Sequence, residues 1–219
     1  MVRSSNNSED SGSKRSRRDT YKDRCPTCRI NQNLCFCESL NQTKAQISSD
    51  IRVSIIMHYT ERWLTSNTAY FSSLLLDNCE IYERGNVDTQ IPEKPFLNNE
   101  DMIYLFPTED SKPLEDFQKS SKKIHLIVPD GSWSKARRIH KREKLFKEVP
   151  KYHLTNVGES KYKLRKSPGE NFLCTYEAIA YALGALGEKE TKDQLLSVFD
   201  VFVAHVLASR RGDLSYQHK

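Results

Sequence analysis

Four of the six cysteines fall within thirteen residues, as Cys25-Pro-Thr-Cys28 and Cys35-Phe-Cys37. Cys-x2-Cys on a tight turn presents two thiolates to one ion. A second close pair completes the tetrahedral four-thiolate shell that structural zinc prefers. The competing arrangements are two disulfides or four unrelated thiols. The N-terminal residues show no apolar run of a secretory leader, and stable disulfides are disfavoured in a reducing compartment. Zinc on Cys25, Cys28, Cys35 and Cys37 is therefore the expectation. A closed four-cysteine shell has no open position, so its role is structural. Cys79 and Cys174 stand apart and read as small buried hydrophobes.

At 219 residues the chain suits one medium domain with a small appendage. Its longest apolar run, Ile51–Met57, is interrupted by Arg52 and Ser54 and is far too short to span a bilayer. Integral membrane, fibrous and secreted disulfide classes are not expected, and a cytoplasmic protein without membrane contact is. The net charge of +5 hides a segregation: residues 119–166 hold 15 basic against 4 acidic side chains, and residues 25–118 hold 7 against 14. Such a block attracts polyanions. Scattered charge would read as a solvated face. Here Lys135, Arg137, Arg138, Lys141, Arg142 and Lys144 fall within ten residues, with Lys161, Lys163, Arg165 and Lys166 beyond, and nucleic acid is the favoured partner.

Residues 1–23 are polar and charged, with almost nothing to bury, and read as a disordered tail. A compact cysteine module over 24–40 follows, and then a domain over 45–210. Strands are expected at Ile51–His58, Cys79–Tyr82, Met102–Phe106, Lys123–Val128 and Tyr152–Thr155. Helices are expected at Asn67–Leu76, Trp133–Phe146, Thr175–Leu186 and Lys192–Ala208, and a loop over Asn86–Asn99 with Pro92 and Pro95. The alternation points to an α/β fold with a largely parallel sheet.

The strand at 123–128 runs through Pro129-Asp130-Gly131-Ser132-Trp133 into the basic helix. A strand end leading to a helix start is where α/β folds place ligands. Gly131 permits close backbone approach, and Ser132 suits an N-cap. Asp130 serves either the helix amides or a ligand, and Trp133 either the core or a flat binding face.

Read with its neighbours, this segment resembles the DTW-domain family. Asp130-Gly131-Ser132-Trp133 stands for the naming motif, with Ser132 where threonine is usual. The cysteine cluster matches in order. So do His58-Tyr59-Thr60-Glu61 with Asn67-Thr68, where Tyr59 replaces a proline, and Tyr104-Leu105-Phe106-Pro107. Tyr162-Lys163-Leu164-Arg165-Lys166 with Pro168, and Leu173-Cys174-Thr175-Tyr176-Glu177-Ala178, complete the series.

The resemblance implies a SPOUT-like α/β domain with a C-terminal trefoil knot. It implies S-adenosylmethionine held among Phe106–Thr108, Pro129–Trp133 and Leu164–Thr175. The implied cofactor contacts are Phe106, Pro107, Thr108, Asp130, Gly131, Leu164, Leu173, Thr175 and Glu177. The implied reaction moves the 3-amino-3-carboxypropyl group to N3 of a tRNA uridine. Asp130 is then a general base or an orienter of the cofactor's ammonium, with Ser132 and Trp133 beside it in the catalytic turn. Trp133 is a face for the base or a packing wedge. Arg137, Arg138, Lys141, Arg165 and Lys166 would meet phosphates. His58 and Glu61 either serve the site or satisfy each other, and at Thr175 and Glu177 helix capping competes with cofactor binding. A non-catalytic zinc-stapled RNA-binding module and a SPOUT-like RNA methyltransferase are the alternatives. Monomer and homodimer both stay open.

Overall fold

The computed structural model describes residues 23–86, 89–162 and 172–216. The tail read over residues 1–23, all but Asp23, lies outside them, as do Lys163, Leu164, Arg165 and Lys166.

Six strands form one sheet: β1 (Arg52–His58), β2 (Cys79–Arg84), β3 (Asp101–Leu105), β4 (Lys112–Pro113), β5 (Ile124–Asp130) and β6 (Lys151–His153). Their spatial order is β2-β1-β5-β3-β6-β4, and every described pairing is parallel. The central strands β1 and β5 are buried nearly throughout. A parallel sheet covered on both faces demands this, and it explains their unbroken Val, Ile and Leu runs.

Side chains alternate between two apolar layers. Val53, Ile55, Leu126 and Val128 face one layer with Phe71, Tyr176, Phe199 and Phe202. Ile56 and Ile127 face the other, with Phe96, Ile139 and Phe146. The first layer is supplied by α1 (Cys37–Lys44), α2 (Thr68–Leu75), α4 (Thr175–Ala185) and α5 (Lys189–Arg211), and the second by α3 (Trp133–Arg142). Stacked rings tie the first layer together, with centroids 4.1 Å apart for Phe71–Phe202 and 4.7 Å for Tyr176–Phe199.

The cysteine segment packs into this same layer. Ile30, Leu34 and Phe36 join the cluster, and His205 of α5 meets the Leu34 carbonyl at 2.9 Å. Several elements differ from the sequence reading. The helix expected to reach Phe146 stops at Arg142, because Glu143 adopts extended backbone and its carboxylate accepts from Leu145 N and Arg84 Nε. Residues 37–44 are helical although only Leu40 is buried there, so no apolar stripe announces the helix. The knot implied by the resemblance depends on the chain between Tyr162 and Phe172, whose residues 163–171 lie outside the described ones. No helix among the described residues is long and apolar enough to cross a membrane.

Candidate active site

Loops leaving the C-terminal ends of β1, β3, β5 and β6 enclose a cavity of about 680 Å³, within the usual range for small-molecule sites. The parallel strands all open toward this end, and the chain has reversed direction across the sheet, with β2 and β3 on opposite sides of β5. Such a crevice is where ligands bind in open α/β sheets.

Asp130 ends β5 on the same face as Val128 and is only 6% exposed. The Thr175 hydroxyl donates to its Oδ1 at 2.5 Å. Thr175 opens α4, so the carboxylate lies against a helix N-terminus, where peptide dipoles favour negative charge. Register sets Met57 beside Asp130, and this aligns the β1 exit with the same cavity.

Gly131 has φ +150°, and a Cβ there would stand 2.9 Å from Lys135 Cβ, so glycine is required at this turn. Ser132 occupies the N-cap position of α3 and is exposed, but its hydroxyl makes no cap bond. Trp133 is half-buried in the cavity wall, edge-on to Phe172 at 4.8 Å and 5.9 Å from Phe106.

Of the expected cofactor contacts, Phe106, Pro107, Asp130, Gly131, Leu173 and Thr175 line this one cavity. Thr108 does not, and its backbone N–H donates to Ser111 Oγ. Glu177 lies behind the wall, 1% exposed, where its carboxylate accepts from Ser160 Oγ at 2.7 Å, Lys161 N at 2.7 Å and Cys174 N at 3.0 Å. It caps α4 and fixes the 160–162 segment, which in turn supplies Ser160 and Tyr162 to the cavity. Leu164 falls outside the described residues.

Arg137, Arg138 and Lys141 are exposed on α3 beside this end of the sheet. Arg165 and Lys166 lie outside the described residues. His58 and Glu61 do not pair. His58 Nδ1 meets Thr60 Oγ1 at 2.9 Å, while Glu61, 4% exposed, takes Lys135 at 2.9 Å. Burial first, and then the Lys135 charge, lower the His58 pKa.

Sequence reasoning missed the wall formed by His153, Leu154 and Val157. Residues 154–162 hold no regular element and carry no periodic signal. Asn67 and Thr68 also line the cavity; the Asn67 cap on Tyr70 N hid their second position.

Away from the cavity, the four thiols of Cys25, Cys28, Cys35 and Cys37 all lie within 4.8 Å of one another, a set able to hold one metal ion. A tight turn builds it: Cys25 N donates to Ile30 O at 2.8 Å and Arg29 N to Cys25 O at 2.9 Å. Burial, then the hydrogen bonds its thiol shares with Cys25 and Cys35, push Cys37 up to about 11.

The DTW domain family matches residues 22–207. A relative from Drosophila melanogaster named tRNA-uridine aminocarboxypropyltransferase 2 is 28% identical over 184 residues, covering 80% of this chain and 71% of that protein. Proteins of the same name from Mus musculus and Macaca fascicularis are each 27% identical over 168 residues, covering 74% of this chain and 56% of theirs. The aligned part is thus little more than half of either mammalian protein. No solved structure matches. On a family match that runs through nearly all of its described length, the chain belongs to the DTW-domain family.

Proposed function

We propose that this chain is an S-adenosylmethionine-dependent tRNA-uridine aminocarboxypropyltransferase, built on a SPOUT-like domain, that alkylates N3 of a tRNA uridine. One observation carries the reading: a buried carboxylate, Asp130, faces a cavity of about 680 Å³ flanked by an exposed basic helix. The lining fits the donor. Phe106, Leu154 and Leu173 offer apolar surface for an adenine, and Asp130 with Thr175 offers an anionic, hydrogen-bonding corner for an ammonium or a reacting N–H.

When bound, S-adenosylmethionine supplies a sulfonium-activated γ-carbon, so that the N3–Cγ bond forms as the Cγ–S bond breaks and methylthioadenosine leaves. The chain's part is positioning and proton transfer. Uridine N3 carries a proton, and the Asp130 carboxylate accepts it. Thr175, donating to Oδ1, holds that carboxylate in one orientation. Gly131 keeps the turn open to close approach, and Trp133 with Phe106 gives a wall of flat apolar surface for the base. Arg137, Arg138 and Lys141 hold phosphates, and so do Arg165 and Lys166 of the adjoining segment.

The cysteine set holds structural zinc. A tetrahedron with Zn–S of about 2.3 Å has sulfur–sulfur edges of roughly 3.8 Å. The observed Cys25–Cys37 and Cys28–Cys35 separations are 3.5 and 3.9 Å.

The test uses purified protein, bulk tRNA and two parallel donors, one labelled in the methyl group and one in the methionine carboxylate. Carboxylate label entering tRNA without methyl label is the expected result. Methyl label entering instead makes the protein a methyltransferase. Neither label entering, with tRNA still bound, leaves a zinc-stapled RNA-binding module.

A further inference from the structure

Five large apolar side chains stand exposed among the described residues, and three of them lie within six positions: Tyr59 at 42%, Trp63 at 57% and Leu64 at 41%. All three belong to the loop between β1 and α2. This loop is held firmly. Lys135 donates to Thr60 Oγ1 at 2.6 Å and pairs with Glu61, and Asn67 Nδ2 donates to the Glu61 carbonyl at 2.8 Å. Glu61, Asn67 and Thr68 of this same segment line the cavity, with Tyr59 and Trp63 two residues on either side of Glu61.

Two guanidinium groups frame the Trp63 ring, Arg62 at 4.7 Å and Arg29 at 5.7 Å from its centroid. Arg62 is fixed by Glu83 at 3.1 Å. Arg29 comes from the cysteine turn and is, among the described residues, the one non-glycine residue with positive φ, at 63°. Its guanidinium lies 3.3 Å from the Tyr70 ring centroid and donates to the Arg62 carbonyl at 2.7 Å. This left-handed backbone, unfavourable for a side chain with a Cβ, brings a cation from the metal-binding turn against the Trp63 loop. Tyr59 in turn rests on His58, with ring centroids 4.9 Å apart.

We infer that Tyr59 and Trp63 form a stacking platform for unpaired tRNA nucleotides beside the target uridine, with Arg29 and Arg62 meeting the adjoining phosphates. The inference rests on the proposed tRNA substrate. Charge selects RNA over a protein occupant: the Trp63 ring is bracketed by two guanidinium groups, and the neighbouring helix α3 exposes Arg137, Arg138 and Lys141. Flat rings set among cations are how single strands are held without base readout. The platform therefore supplies affinity and presentation, and it leaves the choice of uridine to tRNA shape.

The full chain with its metal is tested as wild type, Trp63→Ala and Trp63→Phe, with KM for tRNA and for S-adenosylmethionine measured separately. Trp63→Ala raises the tRNA KM about tenfold, the magnitude of one lost base stack at ~1.4 kcal/mol. It leaves the S-adenosylmethionine KM and the salt slope of tRNA binding unchanged, and Trp63→Phe restores most of the loss. The chain has only two tryptophans, so Trp133→Phe leaves Trp63 as the sole indole, whose emission is quenched by an oligouridylate.

An unchanged tRNA KM in Trp63→Ala, or an equal rise in both KM values, overturns the platform. So does a shift of oligomeric state in Trp63→Ala, which makes the patch a contact between copies. If the wild type transfers no group yet the oligouridylate quenches Trp63, the platform stands and the transferase reading falls. If transfer proceeds and Trp63→Ala matches the wild type, only the platform falls.

Discussion

Strand β5 carries two buried titratable side chains, His125 and Asp130, on opposite faces and at opposite ends, and the chain treats them differently. His125 is enclosed. Ser54 Oγ meets its Nε2 at 2.7 Å, Phe96 stacks on its ring at 5.3 Å, and Glu100 Oε2 lies 3.3 Å from Nδ1 without forming a hydrogen bond. Around it Arg52 bridges Glu80 at 3.2 Å and Glu100 at 3.3 Å, and Tyr82 donates to Glu80. Asp130, at the other end, takes the Thr175 hydroxyl and also lines the cavity. A parallel sheet sends all its strand ends one way, so one rim can be filled with internal partners while the other stays open to ligand. A buried polar group with internal partners serves stability. A buried polar group facing a cavity is available for chemistry.

The sharpest test exchanges the two. Asp130→Asn keeps the size and the Thr175 contact but removes the proposed base. The kcat for transfer falls about 10³-fold, within the range for a general base, while the thermal midpoint stays within about 2 °C of wild type. His125→Asn does the reverse, with stability falling about 2 kcal/mol and turnover nearly preserved. Stopped-assay kinetics and thermal denaturation read both. An unchanged kcat in Asp130→Asn removes the base assignment; a raised S-adenosylmethionine KM at unchanged kcat makes Asp130 the orienter of the donor's ammonium.

The next test is a pH profile of stability. Burial, then the Arg52 charge, lower the His125 pKa to about 4, against about 6.5 in an unfolded chain. Between those values the unfolded state binds more protons, so stability rises with pH. The contribution of neutral His125 is complete above about pH 6.5 and is lost as pH falls toward 4, by ~3 kcal/mol. Urea denaturation from pH 7 to 4 shows this slope in the wild type and a shallower one in His125→Asn. Equal slopes would mean that the filled rim does not hold its histidine neutral.

Gly131→Ala probes the open rim. A Cβ at φ +150° would press on Lys135 Cβ at 2.9 Å, a strain of about 1–3 kcal/mol. Displacement of the turn lowers kcat/KM for S-adenosylmethionine about tenfold, with folding cooperativity retained. Wild-type kinetics in this variant would show that the turn does not hold Asp130 in register.

Much of this rim was legible in the sequence, because its signals are local. The β5 run, Gly131 and the basic helix are contiguous, and the four cysteines declare their set by spacing alone. Asn67 announces its cap three residues from Tyr70 N. What stayed hidden depends on distant partners. Glu177 reads as a site residue until Ser160 and Lys161, seventeen and sixteen residues earlier, claim its carboxylate. Glu61 reads as a partner for His58 until α3 brings Lys135 to it. The two-residue β4 is too short for any period to reveal, and the filled rim joins Arg52, Glu80, Glu100 and His125 from four separate segments.

The basic block gives the finest test, because β5 divides it. Lys119, Lys122 and Lys123 are exposed ahead of β5, at the filled rim, whereas Arg137 and Arg138 are exposed on α3 after it. By composition the two groups are equivalent. By position only the second stands beside the cavity mouth, close enough for the Arg138 charge to help lower the His58 pKa after burial and Lys135. Each phosphate contact removed reduces the slope of log K against log salt by about 0.7 on single strands, and by about 0.9 on a B-form duplex. Arg138→Ala therefore weakens tRNA binding a few-fold and shallows the slope by roughly one contact, with the S-adenosylmethionine KM unmoved. Lys122→Ala leaves affinity and slope at wild-type values. If the two variants shift binding equally, tRNA is held by the diffuse field of the block and not by the open rim, and the contrast between the two ends of the sheet does not extend to RNA.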